Sequence, residues 1–592
     1  MYTLGINAVF HDSAACLVKD GVLLSAAEEE RFTGYKHGKR PIPFSTYELP
    51  YHAIAYCLEQ AGLHLSQVDH IAYSFNPQLC MEKGQATQSE ITIPFFPDKD
   101  MDPARKRALW ENLFLSSILN APDHLVDGYP HHLQKFFTGS STGDWEWHFV
   151  DHHLAHAASA FLPSPFSHAA VMTLDGRGEN VATTYSLGAG IGLTGIAEVP
   201  LPHSLGLLYE QVTTYLGFLH SSDEYKVMAL ASYGKPEYLA AFRDLVQVGR
   251  DGQYTIKQTP LEQLFGPARL RSDEFSAKHF NIARSLQLVL EESVLELSSW
   301  LRDVTRAENL CLAGGVALNC VLNARLRDES GFKNVWAQPA SGDSGTALGA
   351  ALWIDNSTRT PADKEFVMEH AYWGPEYTDD EIEKLLQWAK VPYRKMDDVA
   401  TETAEILAAD KIIGWFQGRM EFGPRALGSR SILASPISPD MQARLNEVKD
   451  REDFRPVAPV VLQEDAAEWF EGAVESPFML FVNRVAAGKE DLIPAVRHVD
   501  GTARIQTVNA QQHPEYHALL KAFKQKTGVP VLVNTSFNIL GKPIVCTPKD
   551  AISCFWTSPF DALIMGSFLI EKANANKSIG SYTNLQQDEL IA

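Results

Sequence analysis

Two histidines in the segment 151–161 (DHHLAHAASAF) have the spacing with which a helix offers a metal two ligands. His152 and His156 are four residues apart, so both imidazoles would lie on one helix face. Two carboxylates could complete the site, because Asp175 ends the strand-like AVMTLD and Asp343 lies in SGDSG. This set suits Fe(II), Mn or Zn, with positions left open for phosphate oxygens. Taken singly, His156 fits a hydrogen-bonded buried histidine and Asp343 a helix N-cap better.

A candidate general base lies in the polar loop AVFHDS. An imidazole titrates near neutral pH, so a neutral His11 beside Asp12 could accept a proton from a substrate hydroxyl. An isolated His-Asp pair is more often an ordinary loop. The catalytic role therefore depends on whether this loop faces a cleft.

Basic side chains suited to an anion are concentrated in the C-terminal part of the chain. Arginine forks match phosphate and carboxylate oxygens in pairs. The segments GRMEFGPRALGSRS and EVKDREDFRP carry most of the candidates, and two more lie beside strand-like runs. The candidates are Arg419, Arg425, Arg430, Lys449, Arg451, Arg455, Arg504 and Ser536.

A glycine pair offers a second place for a phosphate. Gly314 and Gly315 follow the apolar run NLCLA and precede a helical pattern that carries Asn319. Backbone N–H groups at such a turn can approach an anion at the positive end of a helix. A tight strand-to-helix turn without a ligand is the alternative. Neither a Walker A motif nor a well-formed GxGxxG occurs.

The elements that must position these residues follow a repeated pattern. Residues 2–30 contain three apolar runs, and an Asp-Gly pair between the last two predicts a hairpin. A similar pattern of apolar runs and turns recurs near residue 169, as a duplicated actin-like ATPase fold would give. The irregular insertion 76–147 is a candidate lid, an oligomer surface in a homodimer, or a solvated subdomain. A polar stretch at 355–364 predicts a linker before a second α/β domain.

Composition narrows the class of protein. The 592 residues carry 51 Lys and Arg against 73 Asp and Glu, a net charge of −22, which argues against nucleic acid as a main partner. The seven cysteines include no CxxC pair, so neither a disulfide framework nor a zinc ribbon is indicated. Neither a signal peptide nor an apolar run of membrane-spanning length is evident, which predicts a cytoplasmic protein without a membrane partner.

Twelve segments, in order along nearly the whole chain, resemble the O-carbamoyltransferase family, whose members act on nodulation factors, cephalosporins and aminoglycosides. Many ordered motifs are more specific than any single spacing. The sequence departs from the family at Lys542, where an acidic residue is more frequent, and at Ala229, where glycine is common. The segments are GINAVFHDSAA, EEERFTGYKH, HHLAHAASAF, TLDGRGE, SLGLLYE, DEYKVMALASYG, LAGGVALNCVLN, ASGDSGTALGAA, GRMEFGPRALGSRSIL, REDFRPVAPVV, HVDGTARIQTV and VLVNTSFNILGKPIV.

The resemblance implies an actin-like transfer domain at 1–358 and a YrdC-like activation domain at 359–592. The second would make carbamoyl adenylate from carbamoyl phosphate and ATP, with Mg as a candidate partner of ATP, and the first would transfer the carbamoyl group to a small-molecule hydroxyl. His11, with Asp12, is the implied base for that hydroxyl. The family pattern places Lys449, Arg455, Arg504 and Ser536 on carbamoyl phosphate, and a metal, usually iron, which holds the nucleotide phosphates, on His152, His156, Asp175 and Asp343. The residues expected to line the cleft and bind the nucleotide are Lys36, Lys226, Gly314, Gly315, Asn319 and Arg425.

Two other functions stay open. One is carbamoyl or threonylcarbamoyl transfer to a macromolecule such as tRNA, which the acidic charge and the absence of zinc modules disfavour. The other is an actin-like sugar kinase or a chaperone-type ATP-binding module, which leaves the C-terminal basic residues unexplained.

Overall fold

A computed structural model provides the structure. Of the insertion predicted as a lid or oligomer surface, 81–114 and 128–143 lie outside the described residues. The description covers 1–38, 49–80, 115–127, 144–473, 475–539 and 541–572.

Two five-stranded sheets of the N-terminal part share one topology. In each sheet the first three strands are antiparallel neighbours, and two further strands lie on the other side of the first strand and run parallel to it. The strand orders are β3-β2-β1-β4-β5 and β8-β7-β6-β11-β12. The repeated order confirms the predicted duplicated actin-like fold. The strands are Tyr2–Asn7 (β1), Ala14–Lys19 (β2), Val22–Glu28 (β3), His70–Tyr73 (β4), Glu146–Phe149 (β5), His168–Leu174 (β6), Val181–Ala189 (β7), Gly192–Pro200 (β8), a separate hairpin Val246–Val248 (β9) and Tyr254–Ile256 (β10), then Asn309–Ala313 (β11) and Asn334–Ala337 (β12).

The first hairpin forms where the sequence predicts it. Asp20 and Gly21, between β2 and β3, have φ of 48° and 81°, the left-handed geometry that an Asp-Gly turn supplies. The loop between β1 and β2 is more strained, because Phe10 and Asp12 also have positive φ, 38° and 46°. Asn7 holds this loop by donating from Nδ2 to the carbonyls of His11 and Asp12, at 2.8 and 3.0 Å.

One helix, Ser344–Arg359, packs between β1 and the helix His152–Phe161. Glycines allow these close approaches. A Cβ on Gly5 would lie 2.0 Å from the carbonyl oxygen of Ala347, and one on Gly349 would lie 1.8 Å from that of Ala155. The first turn of this helix therefore lies near the histidine-bearing helix. Its last turn extends through 355–359, where Arg359 pairs with Asp355 at 2.7 Å, so the linker is shorter than predicted.

The C-terminal part is an α/β domain around an eight-stranded mixed sheet of order β13-β22-β21-β14-β15-β20-β16-β19. This confirms the predicted α/β class, while its YrdC-like identity and the boundary at 358 stay predictions. The strands are Arg394–Lys395 (β13), Ile413–Phe416 (β14), Arg430–Ala434 (β15), Ala458–Leu462 (β16), a separate pair Val482–Arg484 (β17) and Thr502–Arg504 (β18), then Gln506–Val508 (β19), Val531–Ser536 (β20), Ala562–Met565 (β21) and Phe568–Glu571 (β22).

Helices cover these sheets, and large apolar clusters lie beneath them. None of the described helices combines the length and apolar character needed to cross a membrane. The α-helices are Glu30–Thr33, Tyr51–Ala61, Ala121–Asp127, His152–Phe161, Leu205–Tyr215, Glu224–Ala231, Leu239–Leu245, Leu261–Phe265, Ala277–Thr305, Cys320–Glu329, Ser344–Arg359, Asp379–Trp388, Val399–Ala408, Met441–Val448, Ala466–Trp469, Pro514–Thr527 and Pro548–Trp556, and the 3-10 helices are Lys36–Gly38, Leu65–Gln67, Pro77–Cys80, Gly315–Leu318, Gln463–Asp465 and Pro494–Val496.

Candidate active site

The four predicted metal ligands lie together. His152 Nε2 is 3.7 Å from Asp175 Oδ2 and 3.7 Å from Asp343 Oδ1, and His156 Nε2 is also 3.7 Å from Asp343 Oδ1. Ligand atoms about 2.0–2.2 Å from a tetrahedral ion are about 3.4 Å apart, so a small contraction would bring these atoms into contact with one. Side chains from three separate segments thus form one buried group of potential metal ligands.

The hydrogen bonds of the cluster suit a cation. Both ring nitrogens of His156 and Nε2 of His152 are buried and have no hydrogen-bond partner within the described structure. His152 Nδ1 lies 3.2 Å from the Ser74 carbonyl, so it donates its proton there and leaves Nε2 free to bind a metal. Unpartnered buried nitrogens are costly, and a divalent ion would remove that cost. The donor set therefore fits a divalent first-row ion.

The electrostatics of the cluster also favour a cation. Burial disfavours the imidazolium of His152, but the carboxylates of Asp175 and Asp343 outweigh it and raise the pKa of His152 to about 9. Burial alone would raise the pKa of Asp175, whereas the surrounding imidazoles hold it well below its ordinary value. The same charges that retain a proton would attract a metal cation.

The two carboxylates also connect the cluster to its neighbours. Asp175 Oδ1 accepts the backbone N–H of Gly315 at 2.7 Å, and Asp343 Oδ2 accepts that of His11 at 3.1 Å. Asp343 stands at the start of its helix but makes no capping hydrogen bond with its side chain. Gly315 N–H is already bonded to protein, so the predicted contact of this group with phosphate is not preformed.

The predicted base lies beside the metal ligands in a pair of histidines that share one carboxylate. His11 Nδ1 is 3.0 Å from Asp12 Oδ2, and His37 Nδ1 is 2.8 Å from Asp12 Oδ1. Burial opposes ionisation of Asp12, yet the two histidines hold its pKa well below its ordinary value. An ionised carboxylate only accepts hydrogen bonds, so both Nδ1 atoms carry the protons. His37 Nε2 in turn lies 2.9 Å from Ser222 Oγ, and Lys36 Nζ contacts the same hydroxyl at 3.2 Å.

Five basic side chains of the C-terminal domain form what we call the cation cluster: Arg425, Lys449, Arg451, Arg455 and Arg504. Among the described residues one carboxylate, Glu452, ion-pairs with any of them, 3.5 Å from Arg455. Burial and then the nearby Arg504 lower the pKa of Arg425 to about 9, and burial and then Arg455 lower that of Arg451 to about 9. Burial lowers the pKa of Arg504 too, with Arg455 acting in the same direction. The cluster therefore holds more positive charge than the protein neutralises.

Lys449 and Ser536 form one hydrogen-bonded unit. Lys449 Nζ donates to the carbonyl of Ser536, to its Oγ at 3.1 Å and to Asn538 Oδ1 at 2.7 Å. Burial, followed by Arg451 and Arg455, holds the pKa of Lys449 well below its ordinary value. An anion beside Lys449 would raise this pKa again.

Not every predicted anion ligand joins the cluster. Of the three arginines in GRMEFGPRALGSRS, Arg425 does, whereas Arg430 donates to the carbonyls of Gln417 and Pro375 at 2.8 and 2.9 Å. Arg419 similarly donates to the Trp373 carbonyl at 2.8 Å. The arginines of one motif thus have two roles: Arg425 joins the cation cluster, whereas Arg419 and Arg430 bind backbone carbonyls that the fold brings to them.

Three residues predicted for the nucleotide have mainly structural contacts. Lys226 pairs with Glu452 at 2.9 Å and with Asp223 at 3.2 Å, and so links the N-terminal part to the loop that carries Arg455. Asn319 precedes the helix Cys320–Glu329 rather than lying within it, and its Oδ1 caps that helix by accepting from Leu322 N. Gly314 has φ of 92°, and a Cβ there would lie 2.2 Å from the Leu174 carbonyl oxygen, so it permits a close backbone crossing.

One cavity of about 880 Å³ connects both domains. Its wall includes the carboxylates of the metal-ligand group, the His11 loop, Gly315 and Asn319 from the N-terminal part, and cation-cluster residues from the C-terminal part. The two metal-ligand imidazoles are fully buried behind this wall. The predicted site residues on the wall are His11, Asp12, Lys36, Asp175, Gly315, Asn319, Asp343, Arg425, Arg455 and Ser536.

Three residues that were not singled out from the sequence also belong to this region. His37 shares Asp12 with His11, Asn538 holds Lys449, and Tyr225 lies with its ring 4.7 Å from the Arg455 guanidinium. Each is adjacent or nearly adjacent to a predicted residue inside a motif, and that adjacency is the signal that could have identified it. His153 is different: its Nδ1 bonds Thr173 Oγ1 at 2.7 Å and its ring packs against Gly178, so it is a packing residue.

Comparison with known proteins assigns the family. A model described as Carbamoyltransferase N-terminus matches residues 2–352, and one described as Carbamoyltransferase C-terminus matches 404–572. These matches identify a two-part transferase. The chain belongs to the carbamoyltransferase family and is an enzyme, as the sequence motifs predict.

Similar proteins agree with this assignment. The uncharacterized protein sll1178 of Synechocystis sp. is 41% identical, over 96% of this chain and 97% of its own. Nodulation protein NolNO of Sinorhizobium fredii is 39% identical, over 98% of this chain and 83% of its own. The 3'-hydroxymethylcephem-O-carbamoyltransferase of Streptomyces clavuligerus is 36% identical, over 56% of this chain and 63% of its own. Among solved structures, T. kodakarensis HypF covers 61% of this chain and 48% of its own at 15% identity with a TM-score of 0.35, so the fold assignment rests on sheet order instead.

Proposed function

We propose that this enzyme is an ATP-dependent O-carbamoyltransferase that forms carbamoyl adenylate and transfers its carbamoyl group to a hydroxyl of a small natural product or sugar. The observation that carries the proposal is the shared cavity. A cation cluster with one carboxylate partner adjoins one side, and on the other side two candidate metal-ligand carboxylates line the wall, with buried imidazole nitrogens that have no hydrogen-bond partner in the described structure behind them. Such a division suits two sequential reactions on phosphate-bearing substrates.

The first reaction would take place at the cation cluster. Carbamoyl phosphate, ATP and one water would give carbamoyl adenylate, inorganic phosphate and pyrophosphate. Lys449, Arg455, Arg504 and Ser536 are the proposed ligands of carbamoyl phosphate, because guanidinium and ammonium groups neutralise its oxygens. Joining the carbamoyl group to AMP is useful because nitrogen donation makes the carbamoyl carbon a weak electrophile, and AMP is a better leaving group than hydroxide.

The second reaction would take place at the His11 loop. Asp12 holds the proton of His11 on Nδ1, so Nε2 can accept the proton of the acceptor hydroxyl as its oxygen bonds to the carbamoyl carbon and AMP departs. A divalent cation held by His152, His156, Asp175 and Asp343 would supply positive charge beside the nucleotide phosphates. Fe(II) is the expected ion, and Mn or Zn would fit the same donors. Lys36 and Arg425 lie on the cavity wall, where either could contact the nucleotide.

The nucleotide product tests this proposal. We expect AMP and pyrophosphate, measured by chromatography, to form only when carbamoyl phosphate is present. ADP formation that depends on a sugar would overturn the proposal in favour of a kinase. We expect Arg504→Ala to abolish adenylate formation while bound metal is retained, and His156→Ala to lose bound metal and transfer while carbamoyl phosphate still binds.

The acceptor class needs a separate experiment. The proposed reaction adds one carbamoyl group to a hydroxyl, so a panel of sugars and hydroxylated natural products can be screened by mass spectrometry for that mass increment. Products on small molecules would support the proposal. Modification of tRNA or protein alone would favour transfer to a macromolecule.

A further inference from the structure

A second group of potential metal ligands lies away from the cavity, at the beginning of two neighbouring strands. His70 Nδ1 is 3.0 Å from His148 Nε2, and Glu146 Oε2 is 3.8 and 3.9 Å from these two nitrogens. None of the three side chains lines the shared cavity. His70 begins β4, and Ser74, whose carbonyl holds His152, follows its end. With about 3.3 Å per residue, four residues separate the two groups by about 13 Å.

The strand register explains why these three side chains share one face. His70 of β4 pairs directly with Glu146 of β5, and Ala72 pairs with His148. Paired residues of parallel strands point to the same face, and so do residues two apart along one strand. The arrangement is therefore a consequence of backbone pairing and does not require an unusual side-chain conformation.

We propose that His70, Glu146 and His148 bind a Zn²⁺ ion that is separate from the active-site metal. Two imidazoles and one carboxylate form a donor set that zinc accepts with a fourth position left for water. The three separations of 3.0, 3.8 and 3.9 Å bracket the spacing of about 3.4 Å that tetrahedral ligands adopt around zinc.

The exposures of the three side chains suit such a site. The side chains of His70 and His148 are 13% and 21% exposed, so the protein already positions them, whereas Glu146 is 69% exposed and can move the short distance needed. The competing explanation for the close nitrogens is a single N–H···N hydrogen bond between neutral imidazoles. Zinc binding would replace it: the shared proton would move to the opposite nitrogen of its own ring, leaving His70 Nδ1 and His148 Nε2 to bind the ion without net proton release.

The position of the site gives it a structural consequence. Among the strands that the structure describes, β5 pairs with β4 alone and lies at the edge of its sheet. The chain passes from its end at Phe149 to the metal-ligand His152 within three residues. An ion bridging β4 and β5 would fasten this edge next to the active-site helix. Zinc binding should therefore slow backbone hydrogen exchange across Glu146–Phe149.

Metal counting in the full-length protein tests the proposal. After metal is stripped and Zn²⁺ is restored, followed by desalting, we expect two zinc ions per chain in the wild type, one in His148→Ala, one in His156→Ala and none in the double variant. Exchange across β5, followed by mass spectrometry, should slow with zinc in the wild type and in His156→Ala but not in His148→Ala.

Two controls keep the outcome decisive. Glu146→Gln preserves the shape of the side chain and removes its charge, so it should weaken the second zinc at least tenfold even if His148→Ala folds poorly. His168→Ala, which changes an exposed histidine at the beginning of β6, should keep both ions. A zinc content that is the same in the wild type, His148→Ala and Glu146→Gln would overturn the proposal, whereas a single zinc that is lost in His148→Ala and kept in His156→Ala would support it and assign a different ion to the active site.

Discussion

Replacing Arg425 by methionine should stabilise the free enzyme and weaken its affinity for the anionic substrate. Arg425 has no ion-pair partner among the described residues, and its Nε is buried without a hydrogen bond. Its pKa falls from 12.5 to about 9 through burial and then the charge of Arg504. At about 1.4 kcal/mol per pH unit, keeping this group charged in the folded protein costs about 5 kcal/mol. Methionine retains much of the aliphatic stem and removes the charge.

The expected gain is smaller than this ceiling. Replacing a buried ion pair by apolar side chains is often neutral or stabilising by about 1–4 kcal/mol. Because Arg425 lacks even a carboxylate partner among the described residues, we expect Arg425→Met to raise the free energy of unfolding within that range. The same change removes charge-assisted hydrogen bonds worth about 1.5–3 kcal/mol, so substrate binding at the cation cluster should weaken about 10- to 100-fold. Chemical denaturation with and without carbamoyl phosphate and ATP measures both effects.

Arg430→Met is the matched control. Arg430 is completely buried, whereas Arg425 is partly exposed at the cavity wall. The Arg430 guanidinium donates to four backbone carbonyls, those of Gln417, Gly418, Ser429 and Pro375. Removing it leaves those oxygens unpaired, so the free energy of unfolding should fall by about 3 kcal/mol or more. If both variants lost stability to the same extent in the free enzyme, the cation cluster would not be strained and the argument for a missing anion would fail.

Three further perturbations probe the contact in which Glu28 Oε1 accepts the backbone N–H of Gly423 at 2.6 Å, the metal-ligand helix and the base. Burial raises the pKa of Glu28 from 4.5 to about 7, so the folded protein retains a proton that the unfolded chain has lost, and this contribution to stability declines as pH rises from about 4.5 to 7. Glu28→Gln should remove a decline of up to about 3 kcal/mol, seen as a difference between wild-type and variant melting curves from pH 5 to 8; parallel curves would contradict it. Gly349→Ala, which places a Cβ 1.8 Å from the Ala155 carbonyl oxygen, should lower bound metal and cost about 1–3 kcal/mol, whereas Gly195→Ala, with no atom within 4 Å, should change neither. His11→Gln should slow carbamoyl transfer about 100- to 10,000-fold while pyrophosphate release continues, and an equal loss of both would place His11 in the activation step instead.

Local sequence signals predicted the elements better than they predicted the partners of side chains. The Asp-Gly pair predicted the first hairpin because two adjacent positive φ angles are a property of those residues alone. The spacing of His152 and His156 correctly predicted one helix face for the same reason. Whether Arg425 or Arg430 binds an anion is different, since it depends on which backbone carbonyls the folded chain brings to each guanidinium.

Local sequence patterns also could not predict that Asp12 lies between two histidines. In the sequence, His11 precedes β2 and His37 follows β3. Their contact depends on how Lys36–Gly38 folds back over the loop that carries His11. The sequence predicted Asp343 as a metal ligand from its residue type, but it could not predict which atoms this carboxylate contacts. The structure shows that its second oxygen accepts from the backbone of His11, which joins the metal-ligand group to the candidate base.

The cation cluster must overcome the charge of the molecule that contains it. With a net charge of −22, the protein as a whole repels an anionic substrate. At physiological salt that repulsion is screened beyond about 8 Å, so affinity has to come from groups within the cavity. Five basic side chains with one carboxylate partner provide that local field, and an anion bound beside them would relieve their mutual repulsion. Glu452 limits the cost: it contacts Arg455 at one side and Lys226 at the other, and so neutralises part of the cluster while it joins the two domains. Tyr225, the neighbour of Lys226, also lies against Arg455, so Arg455 contacts the N-terminal helix Glu224–Ala231 as well as Glu452. An anion bound at Arg455 would therefore lie next to the side chains that join the cation cluster to the N-terminal wall of the cavity.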